Sequence, residues 1–152
     1  MALRQSVSTD QAPEAIGPYS QGVRSGSLLF CSGQIPLDPS TGEIVKEDVE
    51  GQARRCLENL AAVCEAAGGS LADAVRCTVY LTDMGDFARV NEVYGSFFEG
   101  EDPPAASHTA ERFSRQRRAC PSISSLTISP VDGSSGIWPE QNSRLPLRIA
   151  WL

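Results

Sequence analysis

The sequence predicts a two-layer α+β domain, with two helices on one face of a mixed β-sheet. Three patterns predict it. Residues 22–31 read as a hairpin, residues 48–67 repeat apolar side chains at helical spacing, and residues 75–81 alternate like a strand before a second helical stretch.

The hairpin runs through Val23 and Arg24, turns at Ser25-Gly26-Ser27, and returns as the apolar strand Leu28-Leu29-Phe30-Cys31. Pro36, Asp38-Pro39 and Thr41-Gly42 then punctuate a loop in which a strand cannot continue. From about Asp48 to Ala67, Val49, Ala53, Cys56/Leu57, Leu60 and Val63/Cys64 recur every three to four residues, while Glu50, Arg54, Glu58 and Glu65 fall largely on other faces. Gly68-Gly69 ends this helix with the left-handed backbone that helix ends often need.

Ser70 to Asp73 has the spacing of a capping motif. Val75, Cys77, Val79 and Leu81 alternate with Arg76, Thr78 and Tyr80, placing one face of a strand on a core. Asp83 or Asp86 can cap the second helix, whose stripe is Phe87, Val90, Val93/Tyr94 and Phe97.

A chain of 152 residues, 41% hydrophobic, suffices for one domain with a real core. It has no run of about 18 apolar residues, so no membrane span is expected. Met1 to Gln11 is polar with no apolar core segment, so the expected location is cytoplasmic. The five cysteines, Cys31, Cys56, Cys64, Cys77 and Cys120, are odd in number and lack C-x-x-C spacing. They read as reduced core residues rather than a disulfide or zinc framework. His108 is the single histidine, so no metal site is expected.

The net charge of −6 is unevenly placed. Residues 1–105 carry 7 basic against 16 acidic side chains, and residues 106–152 carry 6 against 3. An acidic body disfavours nucleic acid, because neutralising phosphates supplies most of that affinity. The basic run from Arg112 to Arg118 reads as a solvated charged stretch that could also touch an anion. The domain body is therefore expected over 1–105, followed by an atypical segment, 106–152. There only Ile123 to Ile128 has a strand pattern, and Trp138 and Trp151 are candidate anchors.

Two segments frame a candidate small-molecule pocket: Gly17-Pro18-Tyr19-Ser20 and Ser32-Gly33-Gln34-Ile35-Pro36. Thr41-Gly42-Glu43, Gln52-Ala53-Arg54, Glu65-Ala66-Ala67-Gly68, Thr78-Val79-Tyr80-Leu81 and Phe87-Ala88-Arg89-Val90-Asn91 follow in order. Over about residues 12–104 this series resembles the Rid family of reactive intermediate deaminases, also called the L-PSP endoribonuclease family. The resemblance implies a chorismate-mutase-like fold, a homotrimer with pockets between subunits, and cofactor-free hydrolysis of enamines and imines such as 2-iminobutanoate to 2-keto acids and ammonia.

Such hydrolysis needs a water aimed at an electrophilic carbon, a group to shift protons, and an anchor for the substrate carboxylate. Tyr19 is the candidate for positioning substrate or water through its hydroxyl, and Ser32 with the Gly33 backbone is the candidate pocket wall, where glycine allows close backbone approach. Asn91 corresponds to a family pocket position on the second helix.

The family follows its second helix with Pro-Ala-Arg, the Arg holding the carboxylate, and later an acidic residue that activates water. Here Pro104-Ala105 is followed by Ala106-Ser107-His108. Arg118-Ala119-Cys120 repeats an Arg-x-Cys pattern about a dozen residues late, and a loop insertion would return it to the site. Arg118 is therefore the candidate anchor, or else one more charge in the basic run; Asp132 stands further along as a candidate acid. A change of reading frame gives another explanation, because codons for Ala106-Ser107-His108-Thr109 read from their second base permit Arg-Ala-Thr. Three functions follow: an imine deaminase, a non-catalytic trimeric binding protein that lacks the Arg, and an endoribonuclease, which the acidic body disfavours.

Overall fold

A computed structural model describes residues 4–98, 104–110, 123–127 and 148–149. Its strands are β1 (Arg4–Val7), β2 (Gly22–Ser25), β3 (Leu28–Cys31), β4 (Arg76–Leu81), β5 (Ala105–Ala110), β6 (Ile123–Thr127) and β7 (Arg148–Ile149), and its helices are α1 (Val49–Ala66) and α2 (Phe87–Ser96). The expected α+β class is observed. The described strands form two hydrogen-bonded groups, ordered β1-β2-β3-β7 and β5-β4-β6.

The hairpin forms as expected. β2 and β3 pair antiparallel, with Gly22 opposite Cys31 and Ser25 opposite Leu28. Gly26 turns the chain at φ +60°, a conformation open to glycine because it has no Cβ to collide with the backbone. Two strands go beyond the sequence expectation. β1 adds antiparallel to β2, although Arg4-Gln5-Ser6-Val7 buries only Val7 and so shows no apolar alternation. β5 runs parallel to β4 through the α2 crossover, starting where the tail was expected to lose regular structure. Ile123–Thr127 forms the strand its pattern predicts, antiparallel to β4.

α1 starts on Asp48, whose carboxylate accepts from the Gly51 N–H, satisfying a backbone donor that no helical carbonyl can reach. It ends in a double hydrogen bond: Gly69 N–H to Cys64 O (3.0 Å) and Gly68 N–H to Glu65 O (2.9 Å), with Gly68 at φ +83°. A side chain at Gly68 meets no atom within 4 Å, so Gly68→Ala tests backbone strain alone. We expect it to cost about 1–2 kcal/mol in denaturant unfolding; an unchanged midpoint would remove this account of the helix end.

Of the two expected caps of the second helical region, one forms, and it caps a different turn. Asp83 accepts from Gly85 N–H (2.8 Å) and caps a short 3₁₀ turn, while Asp86 precedes α2 without a side-chain cap bond. Ser70 and Asp73 form the anticipated reciprocal capping box.

The core is the inward face of α1 (Val49, Ala53, Cys56, Leu57, Leu60, Val63, Cys64) against Leu29 and Cys31 of β3, Cys77, Val79 and Leu81 of β4, and Val90, Val93 and Tyr94 of α2. Burial of each such aliphatic side chain stabilises the fold by roughly 1.5–3 kcal/mol. Arg89 of α2 ties the two helices at the surface, reaching Glu50 and Asp48 on one side and Asp86 on the other.

Cys31, Cys56, Cys64 and Cys77 are buried, as expected, and form no disulfide among the described residues; Cys120 lies outside them. Burial pushes the Cys77 thiol from an ordinary 9.0 up to about 12. Contact with Cys64, whose sulfur lies 4.0 Å from that of Cys31, raises the Cys31 thiol further, and burial adds to it. A thiol raised in the folded state favours folding fully below pH 9, where both states hold the proton. That contribution drains away as pH climbs toward 12, because the unfolded chain ionises first. Thermal unfolding in reductant should therefore show a melting temperature that falls above pH 9, with a shallower fall in Cys77→Val. An equal slope in both proteins would contradict this.

Candidate functional site

The β2–β3 hairpin brings the two motif segments together. Gly17–Ser20 precedes β2 and Ser32–Pro36 follows β3, so antiparallel pairing places them side by side at the Gly22–Cys31 end. The Ser32 N–H donates to Gln21 O (2.8 Å) and its hydroxyl donates to Ser20 O (2.6 Å). With its proton committed to a carbonyl, the Ser32 oxygen keeps its lone pairs as acceptors for a water or an N–H. Gln34, buried, donates to Ser32 O (3.0 Å) and fixes the turn from behind, leaving Gly33 exposed.

Tyr19 is the exposed member, at 51% relative accessibility. Its N–H bonds back to Gly17 O (2.8 Å), bending the chain tightly around Pro18, and its phenol oxygen lies 3.4 Å from the Ile16 N–H. Tyr19, Gly17 and Ser20 line an open cleft of about 690 Å³, whose other wall comes from Ser6 to Glu14. That is the size of a small-molecule site.

The cleft is acidic. Asp10 and Glu14 line it, and no basic side chain is among the described residues around it. A carboxylate ligand there needs a guanidinium from beyond them.

The structure thus sets Ser32 and Gly33 against Ser20, the chain neighbour of Tyr19; Tyr19 and Ser20 line the cleft, whereas Ser32 and Gly33 stand behind that wall. It does not add Asn91, which sits exposed on α2, lines no part of the cleft and makes no side-chain hydrogen bond among the described residues. Arg118, like Asp132, Trp138 and Trp151, lies outside the described residues. Ala106, at the position where an arginine was expected, is exposed on β5 in register with Cys77.

Sequence reasoning overlooked the residue behind this corner. Gln21 is 4% exposed; its carboxamide oxygen accepts from Thr9 N–H (2.6 Å), and its nitrogen faces the carbonyls of Thr9 (2.9 Å), Ala12 (3.0 Å) and Pro13 (2.8 Å). Its only sequence signal is a glutamine directly after Gly-Pro-Tyr-Ser and directly before a strand.

Residues 9–112 match the family described as Endoribonuclease L-PSP. The chain belongs to that family, whose members are also called Rid proteins. A RutC family protein of Pyrococcus horikoshii is 54% identical over 103 residues, covering 68% of this chain and 81% of the relative. TdcF of Escherichia coli, named as a proposed reactive intermediate deaminase, is 53% identical over 97 residues, covering 64% and 74%. Among solved structures, the Rid family protein YyfA of Yersinia pestis superposes with a TM-score of 0.76 at 32% identity, covering 83% of this chain and 97% of the other. Escherichia coli TdcF with bound serine gives 0.70 at 43% identity, covering 83% and 99%. These Rid relatives establish the fold and the family-level assignment. No helix among the described residues of this chain is long and apolar enough to cross a membrane.

Proposed function

We propose that this Rid protein hydrolyses reactive enamine and imine carboxylates, such as 2-iminobutanoate, to 2-keto acids and ammonia without a cofactor. The observation that carries this reading is the Tyr19–Ser32 corner. The Tyr19 phenol lines an open cleft, and the Ser32 hydroxyl, bonded to the carbonyl of the cleft-lining Ser20, stands behind that wall next to the exposed Gly33. Membership of a family that includes a named deaminase supports it.

In this reading water adds to the imine carbon to give a carbinolamine. The nitrogen then leaves as ammonia, and the C–O bond collapses to the ketone. Each cycle consumes one water and releases one ammonia, with no change of oxidation state. Ser32 accepts from the attacking water or the imine N–H, Tyr19 steers the water, and Gly33 permits close backbone approach. Asn91, away from this cleft in its own subunit, joins a pocket only across a subunit boundary, and the Arg118 guanidinium anchors the carboxylate with paired hydrogen bonds. The working unit is a cytoplasmic homotrimer with pockets between subunits, so light scattering should read about three times the chain mass of 16.3 kDa. The proposed division is a body over 1–105 and an atypical segment over 106–152.

The test generates 2-iminobutanoate in situ from an amino acid and follows its decay. Acceleration over buffer, proportional to protein, supports the reading; a rate equal to buffer overturns it. The exposed Ala106, where an arginine was expected, favours a second reading: a trimer that binds small amino or keto acids without turning them over. Serine, bound in the TdcF structure, is a suitable probe. Saturable binding without acceleration selects this second reading.

A further inference from the structure

We infer that Gln21 is a positioning residue for this site, holding the cleft wall that faces Tyr19 to the Ser32 turn through a single residue. The inference rests on the proposed deaminase reading for its effect on rate, although the clamp itself is read from geometry. The β1–β2 ladder ends at the Val7–Gly22 pair. Beyond it the Gln21 main chain turns to the other neighbour, its carbonyl accepting from the Ser32 N–H. Its side chain then takes over the ladder. The carboxamide accepts from Thr9 N–H and donates to Thr9 O, as a peptide group in a facing strand does.

The same nitrogen also reaches Ala12 O and Pro13 O, so its two N–H bonds are shared among three carbonyls. Residues 9–13 have no helix or strand of their own, yet Thr9, Asp10 and Ala12 of this segment line the cleft with Tyr19. Gln21 is buried and its four contacts cross 8 to 12 residues of sequence. No other described side chain bonds both to this wall and, through its own backbone, to Ser32. Loss of the carboxamide frees the wall while leaving Tyr19 and Ser32 chemically intact. Reacting groups displaced by about 1 Å can lose on the order of a hundredfold in rate.

The test compares wild type with Gln21→Met, which keeps length and removes the hydrogen bonds, alone and combined with Tyr19→Phe. Amide hydrogen exchange reads the clamp without needing activity. The Thr9 amide and residues 10–20 should lose protection in Gln21→Met, while α1 keeps its own. In the imine assay, kcat should fall between about tenfold and a hundredfold, with KM changed less. The double variant should be no slower than the slower single one, because the Gln21 side chain acts only by placing the wall that faces Tyr19. Unchanged exchange at 9–20 overturns the inference. So does lost exchange with unchanged kcat, or losses that multiply in the double variant. If wild type gives no acceleration, the deaminase reading falls, and the exchange result alone decides whether the clamp exists.

Discussion

Arg118→Ala lowers kcat/KM for 2-iminobutanoate by about 10- to 100-fold. The reasoning starts from the cleft, not from Arg118. Its described lining holds two carboxylates, Asp10 and Glu14, and no base, so an anionic substrate entering unaided meets like charge. Charged hydrogen bonds contribute about 1.5–3 kcal/mol each, and each 1.4 kcal/mol is a factor of ten, which sets the range. The loss should fall mainly on KM, because the carboxylate is bound equally in ground and transition states. Arg118→Lys should recover only part of it, since an ammonium cannot match the paired geometry of a guanidinium. Activity unchanged in Arg118→Ala would assign the anchor to another residue.

Leu60→Ala destabilises the fold by about 2–5 kcal/mol in denaturant unfolding. Leu60 has no exposed surface and lies mid-way along α1, inside the cluster shared with the sheet and α2. Alanine preserves the helix, so the cost is the lost transfer energy and the cavity left behind. Glu65, exposed on the same helix, provides the control: Glu65→Ala should shift stability by less than about 0.5 kcal/mol. Equal effects at the two positions would contradict the assigned packing face of α1.

Much of this was legible in the chain because local physics and tertiary packing agree there. The α1 stripe, the Gly68-Gly69 stop and the Asp48 start are short-range statements, and each appears in the structure. β1 was not legible, because three of its four side chains face solvent and its pairing with β2 is a backbone matter. β5 escaped for a related reason: a parallel strand forms through its crossover helix, and Ala-Ala-Ser-His-Thr-Ala has no alternating pattern to announce it. Thr78 shows the converse error. The alternation puts it on the outer face of its strand, yet it is buried in β4, the middle strand of its group.

For the site, Tyr19 and Ser32 could be read from Gly and Pro punctuation, whereas Gln21 could not. A buried carboxamide looks like any surface glutamine until its four contacts are seen. Asn91 enters only through the family resemblance, as a pocket position on the second helix, and the folded chain leaves it exposed on α2.

The central claim is that the Tyr19–Ser32 corner catalyses imine hydrolysis. The most direct measurement follows 2-iminobutanoate decay with wild type and with Tyr19→Phe/Ser32→Ala, both confirmed folded by circular dichroism. The account predicts saturable acceleration by wild type and a loss of about a hundredfold or more in the double variant. Equal acceleration by both proteins, or none by wild type, would contradict it.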